Sequence, residues 1–197
     1  MSIATQLRSS APVAIKYKLA SVFCAAVAAA LSVYVAPDLS GLCGALLAIL
    51  MTAIAYRDAQ DFIIPDQYSA AAFVLALVAA WFAAEQDAIW ALAAALARAA
   101  VLALAFLAIR LLYHRLRARH GLGLGDVKLA GVAGAWLDWT MLPVAVEIAA
   151  LAALTGVLAH QLITRQDLKT TTRLPFGLFL APAIWIGWLL QSALPWP

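Results

Sequence analysis

Apolar residues fill seven long stretches of the chain, at positions 19–36, 39–56, 68–84, 88–113, 127–137, 143–163 and 178–194, with short polar clusters between them. Most of these have spanning length, since about 20 helical residues cross the hydrocarbon core of a bilayer. The first could pass for a secretory signal, but its apolar run exceeds the usual h-region and further spans follow at once. It therefore reads as an uncleaved helix. The pattern predicts an all-α fold, a polytopic transmembrane helix bundle of about seven spans.

Composition excludes the alternative of a soluble globule. Of 197 residues, 66% are hydrophobic and only 12% are charged, against roughly 25% charged in soluble domains. Spans and short loops use nearly every position, so a single membrane domain over residues 1–197 is expected, with 1–18 as a cytoplasmic N-terminal segment. The formal charge is +3, but its basic residues lie between the apolar runs and form no single patch. That distribution argues against nucleic acid as a partner and suits membrane lipids. Cys24 and Cys43 fall inside apolar stretches and no CxxC pair occurs, so neither a metal site nor a disulfide framework nor any cofactor is expected.

Charge also sets an orientation. Arg8, Lys16 and Lys18 precede the first span, Arg57 follows the second, Arg115, Arg117 and Arg119 follow the fourth, and Arg165, Lys169 and Arg173 follow the sixth. The opposite loops carry Asp38, Glu85, Asp87 and Asp138 without Lys or Arg. The positive-inside rule then puts the amino terminus in the cytoplasm and the carboxyl terminus outside. Trp81, Trp90, Trp136, Trp139 and Trp196 fall near the outer boundary in this reading, and Tyr17, Tyr56, Tyr68 and Tyr113 near the inner one, as in interfacial aromatic belts.

Two segments on the cytoplasmic side do not look like ordinary loops. One runs from Asp58 through Asp61 to Ile64-Pro65-Asp66, and the other is Gly121-Leu-Gly123-Leu-Gly125-Asp126-Val-Lys128-Leu129. Each brings a carboxylate to a helix end, where proximity to hydrocarbon makes charge costly and function the default hypothesis. Two carboxylates brought together can share one proton, one serving as base and the other as acid. Glycines beside Asp126 would permit close approach of backbone or substrate and a positive φ. The competing reading is that carboxylates just outside spans face solvent or cap the next helix, which fits Asp61 and Asp66 best, and Asp126, which starts a helix with Lys128 two residues on, also fits a cap. Lys128 either favours an ionised aspartate nearby or reaches the interface to anchor its helix. Arg98 and Glu147, inside spans, are expected to pair between helices or to face an internal cavity.

Counting residues gives depths. Twelve residues separate Asp126 from Asp138, so the helix between them rises only about 18 Å across a core about 30 Å thick. If Asp138 is at the outer face, Asp126 lies below the inner surface, and either the glycine-rich run before it dips inward or the bilayer thins. Asp58 counts to about 28 Å from the outer face, so tilt or a kink must bring the two together.

Taken together, these motifs resemble the type IV prepilin peptidases. Gly123-Leu-Gly125-Asp126-Val-Lys128-Leu129 is similar to the family's GxGDxKL signature, and Gly134-Ala-Trp136-Leu to the run that follows it. The spacing from Asp58 to Pro65 in Ile64-Pro65-Asp66 is similar to the upstream element, which favours Asp58 over Asp61. Leu174-Pro175-Phe176-Gly177 resembles the Pro-Phe-Gly element that opens the last span, although Leu178 stands where a second proline is usual. The resemblance covers roughly residues 36–190. It implies a catalytic pair, Asp58 and Asp126, supported by Gly123, Gly125, Lys128, Pro65, Asp66, Pro175, Phe176 and Gly177. It also implies a multi-pass protein of the bacterial inner membrane that removes the basic leader from prepilin or pseudopilin precursors. The basic loops flanking the site suit anionic lipid headgroups better than a basic leader, which makes Asp61, Asp66 and Asp167 the candidates for attracting it. Without the CxxC-bearing insertion, the chain looks like the short, peptidase-only branch found with Flp/Tad-type pili, lacking methyltransferase activity. Two other readings stay open: a proton-coupled transporter using the two aspartates as a relay, and a noncatalytic assembly subunit in which they cap helices.

Overall fold

A computed structural model describes residues 3–84, 86–117, 122–164 and 175–194. Among them the only regular elements are seven α-helices: α1 (Ile3–Val35), α2 (Leu39–Asp61), α3 (Asp66–Ala83), α4 (Ala88–Arg117), α5 (Leu124–Trp136), α6 (Met141–Thr164) and α7 (Gly177–Ala193). Each apolar stretch of the sequence thus becomes one helix. Five are long and apolar enough to cross a membrane: Tyr17–Val35, Leu39–Asp61, Asp66–Ala83, Ala88–Leu116 and Met141–Ile163. The other two are shorter, with 13 residues in α5 and 17 in α7.

Local chemistry sets the helix ends. Asp38 caps α2 by accepting the Gly41 N–H at 3.2 Å, satisfying one of the orphan donors of the first turn. At its other end α2 stops at Phe62, whose φ of 54° and ψ of 32° are left-handed. That conformation is uncommon for a bulky side chain. It turns the chain into the Ile63-Ile64-Pro65 step, where Pro65 is extended, and the Pro65 carbonyl then accepts the N–H groups of Tyr68 and Ser69 to start α3.

The two short helices lie at the centre with α2. In α5 every residue from Leu129 to Trp136 is buried, as expected of a helix apolar on all sides and enclosed by neighbours. It packs against α3, α4 and α7, while α2 packs against α1, α3 and α7. Leu47, Met51 and Ile54 of α2, Leu129 and Val132 of α5, and Leu180 and Ile184 of α7 form the inaccessible core. Gly134 lets α5 approach α4 closely, since a Cβ there would lie 2.6 Å from the Ala99 Cα, a small-residue contact typical of membrane helices.

Contacts fix the register of α4 on α5 as antiparallel: Arg98 meets Gly134, Ala103 meets Gly131, and Arg110 meets Leu122. Asp126 is therefore level with the turn around Phe106, and α4 continues about 16 Å beyond it. Some boundary expectations change. Trp136 is buried and donates its indole N–H to the Ala72 carbonyl at 2.9 Å, so it fastens α5 to α3 and does not face an interface. Arg98 donates to the Gly134 carbonyl at 3.3 Å and lies 3.8 Å from Asp138, lining a cleft at the end of the bundle away from Asp126. These contacts meet the expectation for Arg98, which bonds between helices and faces a cavity, whereas Glu147 is exposed on α6.

Candidate active site

Asp58 lies in the last turn of α2 and Asp126 in the first turn of α5, and both are buried, with 5% and 9% of their surface accessible. They are the only buried ionised-type side chains among the described residues. Burial of a carboxylate is tolerated when its oxygens are bonded, and each aspartate meets this with a backbone N–H. Leu178, in the first turn of α7, donates its N–H to Asp58 Oδ2 at 2.9 Å. Gly123 donates its N–H to Asp126 Oδ2 at 3.0 Å, with Asp126 at the third position of α5 reaching back to the residue before the helix.

Both carboxylates thus occupy helix N-termini, one its own and one a neighbour's. Orphan N–H groups and the positive end of the helix dipole favour negative charge there. The capping role foreseen as a competitor to catalysis is real, and it holds the carboxylates in place. Asp58 and the Arg110 guanidinium both lie close enough to Asp126 to act on it electrostatically.

Ile64 is the wedge that joins the segments. It is buried, and its side chain lies against both glycines of the site: a Cβ on Gly125 would come 2.9 Å from Ile64 Cβ, and one on Gly177 would come 2.7 Å from Ile64 Cδ1 and 2.9 Å from Asp58 Oδ2. Pro175 and Phe176 lead into α7, with the Phe176 ring 6.4 Å from that of Phe106 at 41°. The three sequence elements, around Asp58, around Asp126 and around Gly177, therefore converge at one end of the bundle. The positive φ that the glycines permit is used by no described glycine, while the close approach is present at Gly125. What Gly125 and Gly177 supply is room for Ile64 and Asp58.

The remaining candidates are placed differently. Lys128 bonds Asp66 at 2.6 Å on an exposed flank, tying α5 to the start of α3. Pro65 is the residue preceding α3. Asp61 pairs with Arg57 at 3.4 Å, one turn apart on α2. Gly121, Asp167 and Leu174, with the basic residues 119, 165, 169 and 173, lie outside the described residues. Sequence reasoning passed over Ile64 as a packing element, the Leu178 N–H, and Arg110, whose guanidinium donates to the Leu122 carbonyl at 2.6 Å. An arginine inside an apolar stretch was the available signal for the last of these.

A sequence profile of the type IV leader peptidase family matches residues 45–158, a segment that contains Asp58, Ile64 and Asp126 but ends before Gly177. Among curated relatives, a prepilin leader peptidase/N-methyltransferase of Aeromonas hydrophila is 30% identical over 183 residues, covering 91% of this chain and 60% of the relative. A protein of the same name from Burkholderia pseudomallei is 40% identical over 146 residues, or 72% of this chain and 42% of the relative. Leader peptidase HopD of Escherichia coli is 44% identical over 77 residues, 39% of this chain and 49% of the relative. The chain spans about half the length of several curated relatives it matches and 60% of the first. No solved structure matches it significantly. With a family profile covering more than half of its residues and five helices able to cross a bilayer, this multi-pass membrane protein belongs to the type IV leader peptidase family.

Proposed function

We propose that the chain is an aspartic endopeptidase that removes the basic leader from type IV pilin-like precursors at the cytoplasmic face of the bacterial inner membrane. The observation that carries this reading is the convergence of Asp58 and Asp126, which are distant in sequence, buried, and each oriented by a helix N-terminus. In the proposed reaction the ionised member of the pair takes a proton from water, whose oxygen attacks the carbonyl carbon of the scissile peptide. The protonated member hydrogen-bonds the carbonyl oxygen and stabilises the charge that develops on it. Collapse of the tetrahedral intermediate breaks the C–N bond as a proton passes to the departing amine.

Recess of the pair beside the longer α4 suits a substrate whose apolar segment is in the bilayer and whose leader lies in the cytoplasm. Lys128 and Asp66 neutralise each other on the flank, which leaves Asp66 less suited to attract a basic leader than an unpaired carboxylate. The proton-relay reading gains no support, since a path through the bundle needs further buried ionisable groups and the described residues offer only this pair. Co-expression with candidate prepilins tests the proposal. A leader-sized mobility shift that depends on both aspartates is expected, and full processing by an Asp58→Asn or Asp126→Asn variant would remove that residue from the mechanism.

A further inference from the structure

One peptide group separates Arg110 from Asp126. The Arg110 guanidinium donates to the Leu122 carbonyl oxygen at 2.6 Å, and the N–H of that same peptide unit, belonging to Gly123, donates to Asp126 Oδ2 at 3.0 Å. The chain of bonds runs from guanidinium to carbonyl, through the conjugated amide, and from N–H to carboxylate. We infer that Arg110 is a positioning residue for Asp126: acting through the Leu122–Gly123 peptide, it fixes the carboxylate's orientation and favours its ionised form. This inference rests on the catalytic role proposed for Asp126 and adds a residue to it.

Three features make the relay more than a chance contact. A cation bonded to the carbonyl polarises the amide and strengthens the bond donated by its N–H, and such chains are cooperative away from water. The guanidinium also acts on Asp126 directly through space, so the two effects have the same sign. Finally, Arg110 lies within the α4 span, where an ionisable residue is costly unless it meets a specific partner. Its partner is the segment immediately before α5, whose position sets where Asp126 stands relative to Asp58.

Among the described residues, the other ionisable groups near this site have places of their own. Asp58 of α2 lies close enough to act on Asp126 electrostatically, Lys128 of α5 is bonded to Asp66 of α3, and Arg57 and Asp61 pair with each other on the exposed side of α2. α7 has no ionisable residue. His114 lies one turn beyond Arg110 on α4 and is exposed.

Dicyclohexylcarbodiimide, which adds to protonated carboxyl groups in apolar surroundings, reports the state of Asp126 without any substrate. Labelling of the Asp126 peptide in membranes would be followed by mass spectrometry as a function of pH. In Arg110→Gln the midpoint of labelling should move to higher pH by about one unit, the scale on which a nearby opposite charge acts on a carboxylate. Arg110→Lys, which keeps the cation, should move it less, and Arg115→Gln, an exposed position further along α4, should not move it. Gly123→Pro removes the N–H while suiting the local φ of −73°. It should shift the midpoint in the same direction, and adding Arg110→Gln to it should shift it further by less than in the wild type. An unmoved midpoint in Arg110→Gln, or an equal one in Arg115→Gln, overturns the inference. So does an unmoved midpoint in Gly123→Pro, which decides the matter even if Arg110→Gln fails to accumulate. Because labelling needs no substrate, absence of prepilin cleavage by the wild type would defeat the proposed function and leave the relay standing, whereas normal cleavage with an unmoved midpoint would defeat the relay alone.

Discussion

The Asp58 carboxylate accepts the backbone N–H of Leu178 at 2.9 Å, a bond that spans 120 residues of sequence and closes the site from the side of α7. Hydrogen bonding to an ionised acceptor is stronger than a neutral bond and directional. It fixes one carboxylate relative to the last helix, while Gly123 fixes the other relative to α5. The pair is therefore set by three central elements, α2, α5 and α7.

Removal of either carboxyl group should stop the reaction. In Asp58→Asn and Asp126→Asn the remaining aspartate cannot be both base and acid, and leader cleavage is expected to fall by about 10²- to 10⁴-fold. Asp61→Asn should cleave normally, because Asp61 is occupied with Arg57 on an exposed face. Quantifying processed and unprocessed prepilin at matched membrane levels checks this, and inactivity of Asp61→Asn beside an active Asp58→Asn would transfer the first role to Asp61.

Much of this arrangement was legible because apolar length and charge position are sequence properties. Seven apolar stretches gave seven helices, and the carboxylates at the ends of the second and fifth stood out because charge near hydrocarbon demands a reason. What the sequence concealed were directions. Nothing local says that Ile64 points between two glycines or that Arg110 reaches back to residue 122. The left-handed Phe62 is equally hidden, because no propensity favours a bulky residue there. Trp136 looked like a belt residue until the Ala72 carbonyl supplied its indole with a buried partner.

Lys128 should matter little to the rate. Its ion pair with Asp66 is short but half-exposed, and such pairs contribute about 0–1 kcal/mol. Lys128→Gln is expected to insert normally and cleave near the wild-type rate, with Asp66→Asn behaving alike. A large loss of cleavage in Lys128→Gln at normal abundance would show that Lys128 acts on the carboxylates or the substrate.

Sidedness can be read by thiol labelling. With Cys24 and Cys43 replaced, a cysteine at Arg115 should react with an impermeant reagent only from the cytoplasmic side, and one at Gln86 only from outside. The expectation follows from the Lys and Arg distribution, and from the antiparallel course of the chain through α3 and α4. Labelling of position 115 from outside would put the aspartates on the face opposite a prepilin leader.

The two glycines beside Ile64 should respond differently to the same added methyl group. At Gly177 the new Cβ would meet Ile64 Cδ1 at 2.7 Å and Asp58 Oδ2 at 2.9 Å. The first contact is the end of a flexible side chain and can yield, but the second is the carboxylate itself, held at its Oδ2 by Leu178. Gly177→Ala should therefore displace Asp58 and lower cleavage more than it lowers membrane abundance. Trimming the wedge with Ile64→Val removes Cδ1 and should not restore the rate, because the clash with Asp58 remains. At Gly125 the nearest atoms all belong to Ile64, with Cβ at 2.9 Å and Cγ1 and Cδ1 at 3.2 Å. Ile64→Val leaves Cβ in place and removes only the Cδ1 contact at 3.2 Å, so no more than partial rescue of Gly125→Ala is expected there. A double-mutant cycle on cleavage rate, with abundance measured in parallel, separates these cases. Equal rescue at both glycines would mean that Ile64 alone crowds them and that Asp58 is not displaced by a methyl group at position 177.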